Sequence, residues 1–138
     1  MIIRKPTIKD RASWEILYAG YAAFYKVAQT PDMRATAWGW VHDPAQQTEG
    51  LVADLNGQVI GFAHFRPYAR PLSASTGGFL DDLFVDPNAR GSGAAQALID
   101  AVCDVGRVRG WTVVRWITAE DNYRARSDLL MANLTSKK

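Results

Sequence analysis

The positions of apolar residues follow two different periods along the chain. Between residues 10 and 27, and again between 93 and 109, apolar side chains recur at helical spacings, which indicates amphipathic helices. Elsewhere, short runs of β-branched and aromatic residues end at glycine, proline or polar residues, as is typical of strands. The two periods together predict an α/β protein.

Local signals indicate where several of these elements begin and end. Asp10 and Thr30 are the expected N-caps of the first two helices, and Pro31 suits the first turn of the second helix. Asn56-Gly57 is a strong hairpin signal and predicts antiparallel strands on either side. The predicted strands cover Ile2–Arg4, Leu51–Leu55, Val59–Phe65, about Gly78–Val85 and 112–118; the predicted helices run from Asp10 to about Val27, from Thr30 to Trp40 or Val41, from about Gly93 to Arg109, and from Asp121 or Asn122 to about Met131.

Two segments are predicted to lack regular structure. Arg66–Gly78 is rich in proline, glycine, serine and threonine, which favours a loop, and Ala132–Lys138 reads as a frayed tail. The strand at 78–85, the helix after it and the strand at 112–118 form a unit long enough for parallel pairing with a right-handed crossover.

Composition restricts the class of protein. The 138 residues suit one domain over 1–138, and 48% hydrophobic with 22% charged residues is ordinary for a globular chain. A net charge of +2 is too small to indicate nucleic-acid binding, and no apolar run approaches the roughly 20 residues of a membrane-spanning helix. A single cysteine, Cys103, and the absence of a leader at the start lead us to expect a cytoplasmic protein without a thiolate metal site.

The most informative motif is the turn before the helix at 93–109. Gly91 and Gly93 allow left-handed backbone angles, and Arg90 together with the first turn of the helix would attract an anion such as a pyrophosphate. The pattern matches neither the dinucleotide fingerprint nor the nucleoside-triphosphate loop. A tight bend without any ligand would also explain the two glycines.

The context of this turn resembles a known family. Arg90-x-x-Gly93-x-Ala95, directly after Val85-Asp86-Pro87, is similar to the acyl-CoA-binding motif of the GNAT superfamily of N-acyltransferases. Asn122-x-x-Ala125 and the order of elements also fit, so the resemblance covers about residues 2–126. It implies a mixed central sheet flanked by helices. Relatives have two further strands where this chain ends at Lys138, so we expect a truncated C-terminus without those strands.

The resemblance implies a set of contacts with acetyl-CoA, which would act as co-substrate without a metal. Backbone groups of Phe84 and Val85 would hold the pantetheine arm, and Asn122 would lie near it, although Asn122 would serve equally as a helix cap. The pyrophosphate would contact Arg90, Gly91, Ser92, Gly93, Ala94 and Ala95.

The segment Leu80-Asp81-Asp82-Leu83-Phe84-Val85 looks most like its counterpart in spermidine/spermine and related small-amine acetyltransferases. Asp81 stands where their candidate base, a glutamate, stands, and its shorter side chain would favour a water relay. Adjacent strand residues face opposite sides, so we expect only Asp81 to point into the catalytic cleft. We place Asp82 on the substrate side, with an arginine or a loop amide as its partner.

Aromatic residues are expected to frame the acceptor pocket, because their faces bind ammonium groups. Tyr21, Tyr25 and Trp38 are the candidates, with Tyr68 in reach from the predicted loop, although aromatic residues at helical spacing usually fill a core. His64 would be either a hydrogen-bonded strand histidine or, less favoured, catalytic. Cys103 is interpreted as core filler.

The function that the resemblance implies is acetyl transfer from acetyl-CoA to a primary amine of a small molecule, amino acid or peptide, by direct attack in a ternary complex. The family tyrosine that protonates the departing thiolate has no counterpart, since Tyr123 lies about two turns too early. A non-catalytic acyl-CoA-binding domain, an impaired enzyme and a module without ligand are therefore alternatives. An exposed edge on the strand at 112–118 would favour a homodimer.

Overall fold

The computed structural model describes residues 1–119 and 127–134. Asn122, Tyr123 and Ala125 lie outside the described residues, as does the end of the predicted tail, 135–138. Within the described part of the chain, no helix is long and apolar enough to cross a membrane.

A six-stranded sheet forms the centre of the molecule, and its strands are arranged in chain order. All neighbouring strands are antiparallel except the fourth and fifth, which are parallel as predicted. The strands are β1 (Ile2–Arg4), β2 (Glu49–Leu55), β3 (Gln58–Arg70), β4 (Ser75–Val85), β5 (Val113–Ala119) and β6 (Ser127–Asn133), and the α-helices are α1 (Arg11–Phe24), α2 (Pro31–Val41) and α3 (Ala94–Arg109).

Two hydrophobic clusters cover the two faces of the sheet. On one face, Trp14 and Leu17 of α1 pack against Val52 and Phe62, and α2 adds Trp38 at the margin of this cluster. On the other face, α3 buries a row of apolar residues against the strands: Ala94, Leu98, Val102 and Cys103 meet Ala63, Phe65, Leu80 and Val114. The predicted mixed sheet flanked by helices is confirmed.

Elements with strong local signals lie where the sequence predicts them. Asn56 and Gly57 adopt φ of 54° and 89°, as a tight hairpin turn between right-twisted strands requires. Thr30 caps α2 by accepting a hydrogen bond at 3.2 Å from the amide of Met33. The helix over 93–109 is confirmed as α3, which ends at Gly110 with a left-handed φ of 80°.

The predicted loop at Arg66–Gly78 is wrong. β3 continues to Arg70 and β4 begins at Ser75, so one long hairpin occupies the segment with only a short 3-10 turn at its tip. Pro67 lacks an amide hydrogen but still sits opposite Gly78 in the ladder. The turn-forming residues of this segment lie at the tip of the hairpin and where neighbouring strands come close together.

The last helix is also predicted wrongly over 127–131, where the chain forms β6, and the predicted tail is wrong at Ala132 and Asn133, which belong to the same strand. β6 pairs with β5 along seven residue pairs, from Val113–Asn133 to Ala119–Ser127. The expected exposed edge on β5 is therefore wrong, because β6 covers it, and a strand after β5 is present. A homodimer stays a prediction, but this edge no longer argues for it.

Trp111 fills the space between α3 and the parallel strands. Its ring lies against Gly78 of β4, and a Cβ on Gly106 of α3 would meet the ring at 2.8 Å and Leu134 at 2.7 Å. The ring is 4% exposed, so these contacts belong to the core. Two glycines thus make room for one indole at the base of the β4–β5 pair.

Replacing Gly106 with alanine should destabilise the protein, whereas the same change at Gly39 should not. Both glycines are helical, but nothing lies within 4 Å of a Cβ on Gly39. We expect Gly106→Ala to lower the free energy of unfolding by about 1–3 kcal/mol through overpacking, and Gly39→Ala to raise it by about 0.5–1 kcal/mol. Denaturant unfolding of both variants measures the two free energies. Equal effects would contradict the close packing of the Trp111 ring on Gly106.

Candidate functional site

The parallel strands β4 and β5 separate halfway along β4. They pair only from Gly78–Val114 to Leu80–Trp116, whereas β4 remains paired with β3 as far as Val85. The gap between them is a cavity of about 240 Å³, here called the interstrand cleft. Its walls are Tyr21 and Tyr25 of α1, Leu80, Asp81 and Leu83 of β4, Ile99 of α3, and Trp116 and Ile117 of β5.

A β-bulge places Asp81 in this cleft. Opposite β3, His64 pairs with Asp82 and Phe65 pairs with Leu80, so Asp81 is the extra residue on β4. Asp81 bonds to Arg66, and Asp82 bonds to His64. Arg66 and His64 lie two residues apart on β3 and therefore share one face of that strand. The prediction that the two carboxylates face opposite sides is therefore wrong, because the bulge breaks the strict alternation of the strand.

The Asp81 carboxylate is held by a guanidinium at the edge of the cleft. Arg66 Nε donates to both carboxylate oxygens at 3.1 and 3.2 Å, and the guanidinium lies 5.1 Å from the centre of the Phe79 ring. The Tyr21 hydroxyl donates to the backbone carbonyl of Asp81 at 3.3 Å. Burial raises the pKa of Asp81, and the charge of Arg66 opposes but does not cancel this effect.

Asp82 belongs to a separate, buried hydrogen-bond network. One of its oxygens, Oδ2, accepts from the Tyr18 hydroxyl at 2.9 Å and lies 2.8 Å from His64 Nδ1. Trp14 Nε1 donates to His64 Nε2 at 3.0 Å. Because the indole nitrogen is a donor only, Nε2 is the acceptor and Nδ1 carries the proton donated to Asp82.

This network holds Asp82 and His64 in hydrogen bonds with residues of α1, and a contact of Asp82 with the substrate stays a prediction. Burial alone would raise the pKa of Asp82, but the hydrogen bonds from His64 and Tyr18 outweigh it and hold this pKa below its ordinary value. The partners of Asp82 are a histidine and a tyrosine instead of the arginine or loop amide expected from the sequence. His64 is the hydrogen-bonded strand histidine of the favoured interpretation, at 3% exposure.

The structure separates the aromatic candidates for the acceptor pocket. Tyr21 and Tyr25 line the interstrand cleft. Trp38 does not line it, because its ring packs 5.0 Å from that of Trp14 and 4.4 Å from that of His42. Tyr68 lies in a different cavity of about 300 Å³, which it shares with Arg70 and Arg115.

The turn after β4 has the backbone geometry that its glycines suggest. Gly91 and Gly93 both have φ of 86°, and Gly93 is the residue before the first turn of α3. A Cβ on either glycine would meet no atom within 4 Å, so the positive φ, not crowding, requires glycine here. The Ser92 hydroxyl accepts a 3.3 Å hydrogen bond from the amide of Ala94.

Arg90 lies beside an apolar hollow between this turn and α1. The hollow has a volume of about 450 Å³, and Gly20, Phe24, Phe84 and Pro87 are among its lining residues. Val85 faces the opposite side of β4 and packs on the cluster under α3. The predicted cofactor contacts of the described chain therefore lie together at the carboxyl end of β4 and the start of α3.

Two other sequence interpretations concern metals and the cysteine. The described residues contain no group of three or more histidine, cysteine, aspartate or glutamate side chains that would hold a metal ion. Cys103 is buried in α3, and burial raises the pKa of its thiol, which disfavours the nucleophilic thiolate.

Comparison with known proteins identifies the fold and the family. The model of the acetyltransferase (GNAT) family matches residues 14–128. D-amino-acid N-acetyltransferase HPA3 of Saccharomyces cerevisiae is 27% identical over 99% of this chain and 85% of its own length. The uncharacterized N-acetyltransferase YhfO of Bacillus subtilis is 32% identical over 92% of this chain and 85% of its own length.

A solved structure shares the same architecture. Aminoglycoside N-acetyltransferase AAC(6')-Iy, determined in complex with CoA, superimposes with a TM-score of 0.72 at 24% identity, over 90% of this chain and 80% of that one. At this identity the likeness concerns the fold. The family match over most of the chain and the two sequence relatives agree with this fold. The chain therefore belongs to the acetyltransferase (GNAT) family and is an N-acetyltransferase.

Proposed function

We propose that this enzyme transfers the acetyl group of acetyl-CoA to a primary amine of a small molecule, an amino acid or a peptide, by direct attack in a ternary complex. The observation that carries the proposal is the interstrand cleft. It places the Asp81 carboxylate in the gap between β4 and β5, on the strand that leads to the glycine turn.

The turn fits the diphosphate of CoA. The positive φ at Gly91 and Gly93 brings the chain into α3 so that the amides of its first turn, at Ala95 and Gln96, have no partner one turn earlier in the helix. These amides, the helix dipole and the Arg90 guanidinium all favour a bound anion.

The pantetheine arm fits the separated part of β4. Beyond Leu80, the described backbone of β4 has no ladder partner on its β5 side, so peptide groups around Phe84 and Val85 are available to bond an amide-bearing chain. We propose that a backbone N–H near Leu83 or Val85 donates to the thioester carbonyl oxygen and stabilises the negative charge that develops there.

Asp81 is proposed as the group that binds and deprotonates the acceptor amine. Acetyl-CoA supplies an acetyl group activated as a thioester. When the amine attacks its carbonyl carbon, the carbon–sulfur bond breaks and CoA leaves as a thiolate, which can depart without an acid because a thiol has a pKa of only about 8.5. An alkylammonium has a pKa of about 10.4 and must lose a proton before it can attack. A carboxylate with a raised pKa accepts that proton more readily, and burial raises the pKa of Asp81. The aromatic rings of Tyr21 and Tyr25 would hold the ammonium beside it.

The class of acceptor is supported from two directions. Leu80–Val85 resembles the corresponding segment of spermidine/spermine acetyltransferases, which supports a small amine as the acceptor. The relative HPA3 is a D-amino-acid N-acetyltransferase, which supports an amino acid. A primary amine is common to both.

The direct test follows release of CoA thiol from acetyl-CoA across polyamines, amino acids, aminoglycosides and short peptides. We expect saturable acetyl-CoA binding and thiol release that depends on one class of amine. Binding without amine-dependent release would favour an acyl-CoA-binding domain instead, and absence of binding would exclude both functions.

Gly93→Ala should weaken CoA binding specifically. Forcing alanine into a left-handed conformation costs roughly 1–2 kcal/mol, and Gly57→Ala carries the same strain, with φ of 89° and no atom within 4 Å of its Cβ. Of these two glycines, Gly93 lies at the proposed diphosphate site and Gly57 does not. We therefore expect roughly tenfold weaker CoA binding in Gly93→Ala and unchanged CoA binding in Gly57→Ala. Calorimetric titration of CoA into both variants measures the difference; a parallel loss would show a stability effect alone.

Asp81→Asn should lower turnover while CoA affinity stays constant. Loss of a general base typically costs on the order of 10² to 10⁴ in rate. In the wild type, kcat/KM should fall as pH decreases through the raised pKa of Asp81, because protonation removes the base, and the variant should lack this acidic limb. Asp100→Asn, on the exposed side of α3, is the control. An unchanged pH profile in Asp81→Asn would assign the base elsewhere.

A further inference from the structure

The second cavity, between the tip of the β3–β4 hairpin and β5, contains polar groups that lack partners. Tyr68, Arg70, Leu72, Ser73 and Arg115 are among its lining residues. The Tyr68 hydroxyl and the Arg115 Nε are both buried and make no hydrogen bond in the described structure. Buried polar groups are satisfied in the great majority of cases, so two orphans beside one cavity indicate a polar partner from outside the described chain, either a ligand or a bound water.

The charge of this cavity is positive and uncompensated. Arg70 donates to the Thr112 hydroxyl at 2.6 Å, and no carboxylate of the described residues lies within ion-pair distance of Arg70 or Arg115. Most other arginines of the described chain do have such a partner: Arg4, Arg11, Arg34, Arg66, Arg107 and Arg109. Two arginines beside a hydroxyl make a suitable environment for an anion.

The register of the sheet places Arg115, which lines this cavity, on the strand beside Asp81. Arg115 on β5 and Arg66 on β3 both sit opposite Phe79 on β4, and Arg66 bonds to Asp81. The Tyr68 ring also packs on Phe79, with ring centres 6.2 Å apart. From the usual spacing within and between strands, the Cα atoms of Arg115 and Asp81 are about 8 Å apart. A small molecule that spans this distance along β4 would contact both residues.

We infer that the acceptor carries a carboxylate together with its amine, and that Arg115 and Tyr68 bind this carboxylate while the amine lies against Asp81. The inference rests on the proposed function and narrows it to amino acids. The guanidinium and hydroxyl would gain the hydrogen bonds that they lack. A polyamine would instead bring positive charge towards Arg70 and Arg115, which disfavours it.

The test compares each amino acid with its own carboxamide, which keeps the amine and the shape but removes the charge. In the wild type, kcat/KM for the acid should exceed that for the amide by about 10- to 100-fold, the usual effect of a hydrogen bond to a charged group. Arg115→Gln should abolish most of this preference, mainly through a higher KM for the acid. Arg107→Gln, an exposed arginine paired with Asp104 on α3, should keep the preference.

Tyr68→Phe provides a second, milder variant, because it removes the unpartnered hydroxyl and keeps the ring against Phe79. It should reduce the same preference even if Arg115→Gln folds poorly. Equal rates for acids and amides, a preference for polyamines, or better acetylation of an aminoalkyl phosphate such as phosphoethanolamine would each overturn the carboxylate assignment. Absence of thiol release with every amine would instead contradict the proposed function.

Discussion

The whole site depends on one constraint: β4 pairs along its length on one side, apart from the bulge at Asp81, and over only three residues on the other. The ladder with β5 ends at Leu80, while the ladder with β3 continues to Val85. A strand held firmly on one side can keep unpaired peptide groups on the other without losing its place in the sheet. This asymmetry opens the cleft and leaves backbone donors beside it. The bulge at Asp81, at the point of separation, turns a carboxylate into the opening.

The two adjacent aspartates have different surroundings. Asp82 is fixed by Tyr18 and His64, which are fixed in turn by α1, so it ties the helix to the sheet. Asp81 has one guanidinium partner and a carbonyl that Tyr21 contacts, and its carboxylate remains on the wall of the cleft. The two residues are of the same type, so it is their environment that makes Asp81, and not Asp82, the candidate base.

Features that depend on local backbone preferences could be predicted, and features that depend on how one strand pairs with another could not. The turn at Asn56-Gly57, the cap at Thr30 and the positive φ at Gly93 follow from local backbone preferences, and the structure confirms them. The strand at 127–133 and the long hairpin through Pro67 depend on pairing with the adjacent strand, which the residue preferences of a single segment do not show. The bulge has the same origin, since one extra residue in a strand is visible only against its partner. The role of Asn122, outside the described residues, stays a prediction.

The indole of Trp111 helps to fix the register of β5 against β4, and this register decides which side chains of β5 face each side of the sheet. β5 and β6 are joined to each other by seven pairs but to β4 by only three, so few ladder hydrogen bonds fix their register against β4. A slip of one residue would turn Arg115 and Ile117 to the α3 side and expose Trp116 in their place. The Trp111 ring packs directly on Gly78, and this close contact would be lost if the register shifted. The small size of Gly78 thus helps to fix which side chains of β5 face each side of the sheet.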